Sequence, residues 1–283
     1  MRVLSTTPGT SYGNAFAELL AENHEVVCYG HEEHPELESV IGDRRDYDAV
    51  KQAVDGVDAI VDLPTPVGEE GDWDPHEEMI EGAYNLLRAA EEAKVSKYII
   101  GSTNRTVEGY EIEHAPDLYE LDYDFSIDHT VPPRPGKLYG VSRLFAENIA
   151  RLWVESTDHK VGRMITEERP YPEQAYVIRW GSVRMDEGSD HPYSDAEFGV
   201  EDGLWERDSE QYNLAVKRMK ATWISRRDLG QLLECIMEDD SVTFDVFYGV
   251  SNNDRRWFDL EHAKARIGYD PVDNGEDWTE PPE

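Results

Sequence analysis

The stretch that decides the fold is RVLSTTPGTSYGNAFAELLAENHEVVCY, residues 2–29. It begins and ends with short apolar runs that are typical of buried strands. Between these runs, apolar residues recur at the spacing of one helix face from Tyr12 to Glu22. Two strands joined through a helix are typical of a parallel pair with a crossover connection. We therefore predict a strand, helix, strand unit over these residues.

The same alternation continues along the chain. Further strand-like runs are AIVDL, KYIIGS and AYVIRW, and further helical patterns cover Asp46 to Asp55, Pro75 to Ala93 and Leu138 to Val154. Strands that alternate with helices form a parallel sheet with both faces covered, and ligands bind at the carboxyl ends of its strands. We therefore predict a site in the loops that follow Ser5, Tyr29, Leu63 and Ser102.

The pattern changes after Trp180. An acidic, polar stretch, residues 185–213, precedes KATWISRRDLGQLLECIMEDD, the strand-like run TFDVFYGV and a helical pattern around residues 261–266. No linker separates this part cleanly from the rest. We predict an α/β chain that folds as one compact unit, with a sheet core over residues 1–180 and a smaller cap with the C-terminal elements over residues 181–283.

Acidic residues dominate the charge. Asp and Glu number 61 against 27 Lys and Arg, and the formal net charge is −34. Self-repulsion of this size is screened in concentrated salt, where the Debye length falls to about 3 Å at 1 M. Nucleic acids and anionic membranes are bound through basic patches, so we expect neither partner. We expect this protein to work in the cytoplasm of an organism that accumulates salt.

Targeting, redox and metal signals are weak in this sequence. We find neither the pattern of a signal peptide nor an apolar run of membrane-spanning length. Cys28 and Cys235 lie inside predicted elements without a metal or redox spacing, so we expect packed thiols in a reducing compartment. His31 and His34 have no third ligand in view, and we assign no metal.

A tyrosine and an arginine at the start of a predicted helix have the spacing of a catalytic pair. Tyr139 and Arg143 are four positions apart and share one face, and the run STNR, residues 102–105, ends the fourth predicted strand. Because tyrosine has an ordinary pKa of about 10, a nearby cation is needed to make it a general base near neutrality. The alternative is an ordinary helix whose polar face holds both residues.

The first loop is placed where a dinucleotide pyrophosphate would lie against a helix N-terminus. It keeps Gly9 and Gly13, but their spacing departs from GxGxxG, so an ordinary strand-to-helix turn is an equal alternative. Glu32 and Glu33 follow the second strand, and we interpret them as solvated charges.

Several motifs together resemble the extended short-chain dehydrogenase/reductases of the NAD-dependent epimerase/dehydratase superfamily. The motifs are STN followed by RTVEGYE, LYGVSR, IRWGS, RMKATWIS, FYGVSNND and GYDPVDN. The likeness runs from Val3 to about Asn274, and it is greatest to uronate dehydrogenases and to the NAD-dependent glucose-6-phosphate dehydrogenases of salt-loving archaea. The resemblance implies a Rossmann-like, doubly wound parallel sheet with a small C-terminal substrate cap.

The resemblance also implies roles for individual residues. The implied catalytic residues are Tyr139 as general base, Thr103 as the hydroxyl that binds the reacting oxygen, and Arg143. The implied substrate-binding residues are Asn104, Arg105, Ser182 and Arg218. The implied cofactor-binding residues are Gly9, Ser11, Tyr12, Gly13, Asp43, Leu63 and Arg143. The implied cofactor is NAD or NADP, with NAD favoured, the implied substrate is a small anionic sugar, and pairing through the long helices implies a homodimer.

Departures from the family pattern concentrate on the cofactor side. The replaced positions are Thr7 and Thr10 in the glycine loop, Pro64 and Thr65 after the third predicted strand, Met79, Arg105 and Arg143. Our first hypothesis is an NAD(P)-dependent oxidoreductase that oxidises a uronate or a sugar phosphate at C1 to a lactone. The alternatives are a non-catalytic descendant that binds a sugar acid or a nucleotide, and an epimerase or dehydratase that uses tightly held NAD.

Overall fold

The computed structural model describes residues 1–67, 72–155, 160–161, 164–165, 171–185 and 188–282. Its strands are β1 (Arg2–Thr6), β2 (Glu25–Gly30), β3 (Ser39–Ile41), β4 (Ala59–Asp62), β5 (Lys97–Thr103), β6 (Lys160–Val161), β7 (Met164–Ile165), β8 (Gln174–Trp180) and β9 (Phe244–Gly249). Its α-helices are α1 (Ser11–Ala21), α2 (Tyr47–Val54), α3 (Asp74–Ala93), α4 (Glu108–His114), α5 (Leu138–Glu155), α6 (Ser194–Glu201), α7 (Glu210–Thr222), α8 (Arg226–Glu238) and α9 (Glu261–Ile267). Among these helices, none is both long and apolar enough to span a membrane.

Seven strands form one parallel sheet in the order β3-β2-β1-β4-β5-β8-β9. Val3 of β1 lies beside Val26 of β2 on one side and beside Ala59 of β4 on the other. The strand order therefore reverses between β1 and β4, which opens a crevice at their carboxyl ends. This arrangement confirms the predicted Rossmann-like α/β fold and points to the end of the sheet where the site lies.

Both faces of the sheet are buried. Val3 packs into the hydrophobic cluster that contains α1 and α8, whereas Leu4 packs into the cluster that contains α2, α3 and α5. Successive residues of a strand point to opposite faces, so two covered faces require consecutive apolar residues. This explains why the strands appear in the sequence as continuous apolar runs.

Helix boundaries follow from local capping groups. The Thr10 side chain accepts a hydrogen bond from Gly13 N at 3.0 Å and begins α1, while Asp46 caps α2 in the same way. Ser209 and Ser225 cap α7 and α8. Such caps satisfy amide groups that have no partner within the helix. The helical patterns expected from the sequence agree with α1, α2, α3 and α5 to within one residue at each end.

Strand β3 and helix α6 are among the elements that the sequence analysis did not predict. Strand β3 is a short edge strand whose Val40 and Ile41 are exposed, so it lacks the pattern of a buried strand. The acidic stretch of residues 185–213 contains α6. Strand β9 pairs with β8 and so extends the sheet from the C-terminal part of the chain. The boundary at residue 180 stays a prediction.

Both cysteines are free thiols. Cys28 is almost completely buried in β2, and burial raises its pKa to about 12. Burial also raises the pKa of Cys235. Because the thiolate is the reactive form, neither side chain is a ready nucleophile.

Candidate active site

A polar cavity of about 290 Å³ lies at the carboxyl ends of β5 and β8. Its lining contains seven residues that the sequence analysis selected: Tyr12, Thr103, Asn104, Arg105, Tyr139, Ser182 and Arg218. They come from α1, the end of β5, the start of α5, the loop after β8, and α7. The parallel topology therefore brings together the predicted substrate residues with two of the predicted catalytic residues.

Tyr139 and Thr103 interact on the wall of this cavity. Burial raises the pKa of Tyr139 to about 12, while the positive charges of Arg143 and Arg105 and the Thr103 hydroxyl oppose that rise. The Thr103 hydroxyl also accepts a hydrogen bond from the Arg105 amide at 3.1 Å, which holds it in place. The free chain therefore presents a protonated phenol at neutral pH, and its base form develops in alkali.

Arg143 is completely buried and does not contribute to the cavity lining. Its Nη2 donates to the main-chain oxygen of Asp62 at 3.0 Å and lies 3.5 Å from Asp62 Oδ2. Its Nε and Nη1 are buried without a hydrogen-bond partner among the residues that the structure describes. A buried donor without a partner costs about 1–3 kcal/mol. Because Arg143 is closed to solvent, a ligand reaches these two nitrogens only when the neighbouring side chains move.

A buried charge cluster surrounds the carboxylate of Asp62. Arg44 is nearly inaccessible to solvent, and its Nη1 donates to Asp62 Oδ1 at 2.9 Å and to the Leu63 main-chain oxygen at 2.8 Å. The hydroxyl of Tyr98 donates to Asp62 Oδ2 at 3.0 Å. Asp62 is therefore shared between two arginines. The sequence analysis missed this cluster because Arg44 and Asp62 lie in separate elements and form no recognisable motif.

The glycine loop is built differently from the family pattern. Thr7 has a φ of +63°, the left-handed region that favours glycine. A Cβ on Gly13 would lie 1.9 Å from the Thr7 main-chain oxygen, so glycine is required there. The Gly9 amide donates to Asn14 Oδ1 at 2.9 Å, and the Ser11 hydroxyl accepts from the Met185 amide at 3.3 Å. Part of the loop's hydrogen-bonding capacity is thus used within the chain.

Of the remaining cofactor candidates, Tyr12 and Asp43 both make contacts within the chain. Tyr12 donates to the Pro64 main-chain oxygen at 2.8 Å, and both carboxylate oxygens of Asp43 contact Arg45. Glu32 is exposed, but a Cβ on Gly9 would lie 2.3 Å from its Oε2, so its carboxylate rests against the loop. The cavity between the loop and Arg44 measures about 110 Å³. Ligand pockets are usually larger, about 300 Å³ or more.

The donor set of this crevice fits a nicotinamide dinucleotide, although the space at its outer end is small. The N-terminus of α1 faces the loop, as anion binding requires. Behind the surface, Arg143 has two buried nitrogens, Nε and Nη1, without a partner in the part of the chain that the structure describes. Glu32 and Arg44 line this cavity together with Thr7.

Three carboxylates neutralise the arginines of the 290 Å³ cavity. The ion pairs are Arg218 with Glu111, Arg105 with Glu108, and Arg184 with Asp195. The sequence analysis did not assign Glu108, Glu111, Arg184 or Asp195. Glu108 and Glu111 lie within the motif RTVEGYE, and their spacing of three places both on one helix face, which is the signal that could have revealed them.

Comparison with known proteins decides the family. The pattern of the NAD dependent epimerase/dehydratase family matches residues 12–179. The chain belongs to this family. The match confirms the resemblance inferred from the motifs, and it covers Asp43, Thr103, Tyr139 and Arg143.

Several proteins that are similar to this chain are dehydrogenases named for sugar substrates. An NAD-dependent glucose-6-phosphate dehydrogenase of Haloferax volcanii is 31% identical over 244 residues, 86% of this chain and 78% of that protein. An L-arabinose 1-dehydrogenase (NAD(P)(+)) of the same organism is 27% identical over 285 residues, 96% of this chain and 97% of that protein. The crystal structure of uronate dehydrogenase from Agrobacterium tumefaciens is 25% identical, with a TM-score of 0.71 over 100% of this chain and 90% of that one. These likenesses support the enzyme class expected from the sequence.

Proposed function

We propose that this chain is an NAD-dependent dehydrogenase that oxidises an anionic sugar, a uronate or a sugar phosphate, at C1 to a lactone. The observation that carries the proposal is the meeting of Tyr139 and Thr103 in one cavity with the polar side chains of Asn104, Ser182 and Arg218. A hydroxyl pair beside several fixed hydrogen-bonding groups is suited to orient a sugar ring and to remove a proton from one of its hydroxyls.

The cofactor role falls to the crevice between β1 and β4. NAD, when bound, supplies the acceptor for the hydride that leaves the sugar carbon. Residues of this chain that would hold it are Gly9, Ser11, Tyr12 and Gly13 at the N-terminus of α1, with Asp43, Leu63 and Arg143. The unpartnered Nε and Nη1 of Arg143 are the donors that the proposal assigns to the cofactor end nearest Tyr139.

The chain's own residues handle the substrate and its proton. Thr103 donates to or accepts from the reacting oxygen, and the Tyr139 phenolate takes the hydroxyl proton as the carbon–oxygen double bond forms. Arg105 and Arg143 stabilise the negative charge on the phenolate oxygen, because both lower the pKa of Tyr139. Asn104 and Ser182 line the same cavity, and the proposal assigns them to the ring hydroxyls.

Arg218 supports an anionic substrate. Its guanidinium lines the cavity, and a guanidinium binds carboxylate or phosphate through parallel N–H groups. We further propose that the chain works as a homodimer in a salt-rich cytoplasm, in keeping with its formal charge of −34.

The proposal is tested by turnover in multimolar salt. Purified protein is mixed with NAD or NADP and with glucuronate, glucose 6-phosphate or a neutral aldose, and reduced nicotinamide is followed by absorbance. We expect reduction with an anionic sugar and none for Tyr139→Phe. If no sugar supports reduction, the dehydrogenase assignment fails.

Two further measurements separate the alternatives. Binding of a sugar acid in calorimetry without turnover would favour a non-catalytic descendant. NAD that stays with the protein through purification would favour an epimerase or dehydratase.

A further inference from the structure

Every arginine in the described lining of the 290 Å³ cavity has a carboxylate partner. Arg105 pairs with Glu108 from within the same short segment, and Arg184 pairs with Asp195 at 2.7 Å. The cavity that we propose to take an anionic sugar is therefore close to electrically neutral.

Of the three ion pairs in the described lining of this cavity, the pair between Arg218 and Glu111 is the least exposed to solvent. Glu111 Oε1 accepts from Arg218 Nε at 2.6 Å, and Oε2 accepts from Nη2 at 3.3 Å. The exposed fraction is 8% for the Glu111 side chain and 23% for that of Arg218. The Tyr119 hydroxyl also donates to Glu111 Oε1 at 2.8 Å, which fixes the carboxylate. Burial lowers the pKa of Arg218, but the charge and hydrogen bonds of Glu111 raise it, and the net effect is a rise. Arg218 therefore stays positively charged.

This geometry uses one edge of the guanidinium and leaves the other for a ligand. Glu111 contacts the edge formed by Nε and Nη2, and the Tyr119 hydroxyl also interacts with this guanidinium. Nη1 makes no hydrogen bond to the described residues and remains for a ligand. Two parallel N–H groups match the two oxygens of a carboxylate. A phosphate brings a charge of about −1.5 to −2 at neutral pH, and the described lining offers no uncompensated cation to balance it.

We propose that Glu111 sets the charge selectivity of this cavity: by neutralising Arg218 it admits a sugar with a single carboxylate and excludes sugar phosphates. The inference rests on the proposed function and deepens it, because it chooses between the two anionic sugar classes. Glu111 acts through Arg218 and is a positioning residue, whereas Arg218 is the group that contacts the substrate.

The test is binding, measured by calorimetry with glucuronate, glucose 6-phosphate and glucose, with and without NAD. We expect the wild-type protein to bind glucuronate at least about tenfold more tightly than glucose 6-phosphate. Glu111→Gln leaves the Arg218 charge uncompensated, and we expect it to tighten glucose 6-phosphate binding about tenfold or more while glucose binding stays unchanged. Because the pair is partly buried, the effect should persist in high salt.

The chain offers a matched control on the same helix. Glu113 lies two residues beyond Glu111 on α4 and pairs with Arg134 at 2.6 Å, away from the cavity. Glu113→Gln removes the same charge from the same helix, and we expect it to leave the glucuronate to phosphate ratio unchanged.

The inference is overturned if the wild-type protein binds glucose 6-phosphate as tightly as glucuronate, or if Glu111→Gln alters all three sugars equally. Should Glu111→Gln fail to fold by circular dichroism, Glu111→Asp keeps the charge and must keep the wild-type ratio, and the wild-type preference itself still decides. Efficient oxidation of glucose 6-phosphate would reject this inference while leaving the proposed dehydrogenase intact. Selective binding of glucuronate without turnover would support this inference and reject the proposed dehydrogenase.

Discussion

Arg143 lies one helical turn beyond Tyr139 on α5, and its Nη2 atom is 3.0 Å from the main-chain oxygen of Asp62. The cation that the tyrosine needs is therefore tied to the end of β4, and its charge is shared with a carboxylate that also binds Arg44. A cation compensated in this way depresses the pKa of a neighbouring phenol less than a free one would. The pair links the chemistry of Tyr139 to the cofactor side of the sheet.

The first prediction concerns the pH dependence of oxidation. The Tyr139 phenolate is the proposed base and its pKa is about 12 in the free chain. The fraction of base therefore rises about tenfold per pH unit below that pKa. We expect kcat/KM to climb steadily from pH 7 into the alkaline range, as measured by initial rates in a constant-salt buffer series. A plateau of kcat/KM already present near pH 7 would contradict this expectation and show that bound cofactor or substrate lowers the pKa of Tyr139.

The second prediction concerns the stability of the buried charge cluster. Asp62→Asn leaves Arg44 and Arg143 without their shared carboxylate, and breaking a buried ion pair costs about 3–5 kcal/mol. We expect a loss of that size in the free energy of unfolding from denaturant titration. Glu155→Gln breaks the exposed Arg151 to Glu155 pair, and it should cost about 1 kcal/mol or less. Equal effects of the two variants would contradict the buried cluster.

The third prediction concerns the arginine at position 143. Arg143→Lys replaces a planar fork tied to Asp62 with a compact ammonium that has three rotatable donors. An ammonium on a flexible stem can turn its donors toward the cofactor, whereas the guanidinium is held at Asp62. We therefore expect NAD affinity, measured by fluorescence titration, to increase several-fold and kcat/KM to rise with it. Arg151→Lys, an exposed site on the same helix, is the control. No change in either quantity would indicate that Arg143 serves the fold and not the cofactor.

The fourth prediction concerns the glycine loop. A Cβ at Gly13 would lie 1.9 Å from the Thr7 main-chain oxygen, so Gly13→Ala must displace backbone. We expect a loss of about 1–3 kcal/mol in the free energy of unfolding, together with weaker NAD binding. A Cβ at Gly230 on α8 would contact one side chain, that of Leu19 at 3.2 Å, and no backbone, so Gly230→Ala should change stability much less than Gly13→Ala. A stable Gly13→Ala variant would show that the loop adopts another conformation.

The fifth prediction concerns salt. With a formal net charge of −34, the acidic side chains repel one another in dilute buffer. Salt screens this repulsion, because the Debye length falls from about 10 Å at 0.1 M to about 3 Å at 1 M. We expect the thermal unfolding midpoint to rise steeply over that range of potassium chloride. Sucrose at matched osmolality should produce a smaller rise, because it does not screen charge. A flat response to salt would contradict the expected adaptation to a salt-rich cytoplasm.

Local pattern was enough to predict much of this molecule. The alternation of apolar runs and helical patterns predicted the parallel sheet, and the caps at Thr10 and Asp46 begin helices where the periodicity begins. The motifs around Thr103, Tyr139 and Arg218 predicted residues that the structure brings into one cavity. Such signals are readable because strand and helix periods are short, and because parallel strands present their carboxyl ends at one edge.

Only the tertiary structure decided which charges meet. Arg218 and Glu111 are 107 residues apart, Arg143 and Asp62 are 81 apart, and no spacing rule links either pair. In a chain with 61 acidic residues, each arginine has many candidate partners, and packing alone selects one. The sequence by itself determined the α/β fold and the residues near the site, since both depend on local periodicity and motif. Packing decided that the cavity is charge-compensated and the cofactor crevice narrow, because side-chain pairing across elements depends on their relative positions.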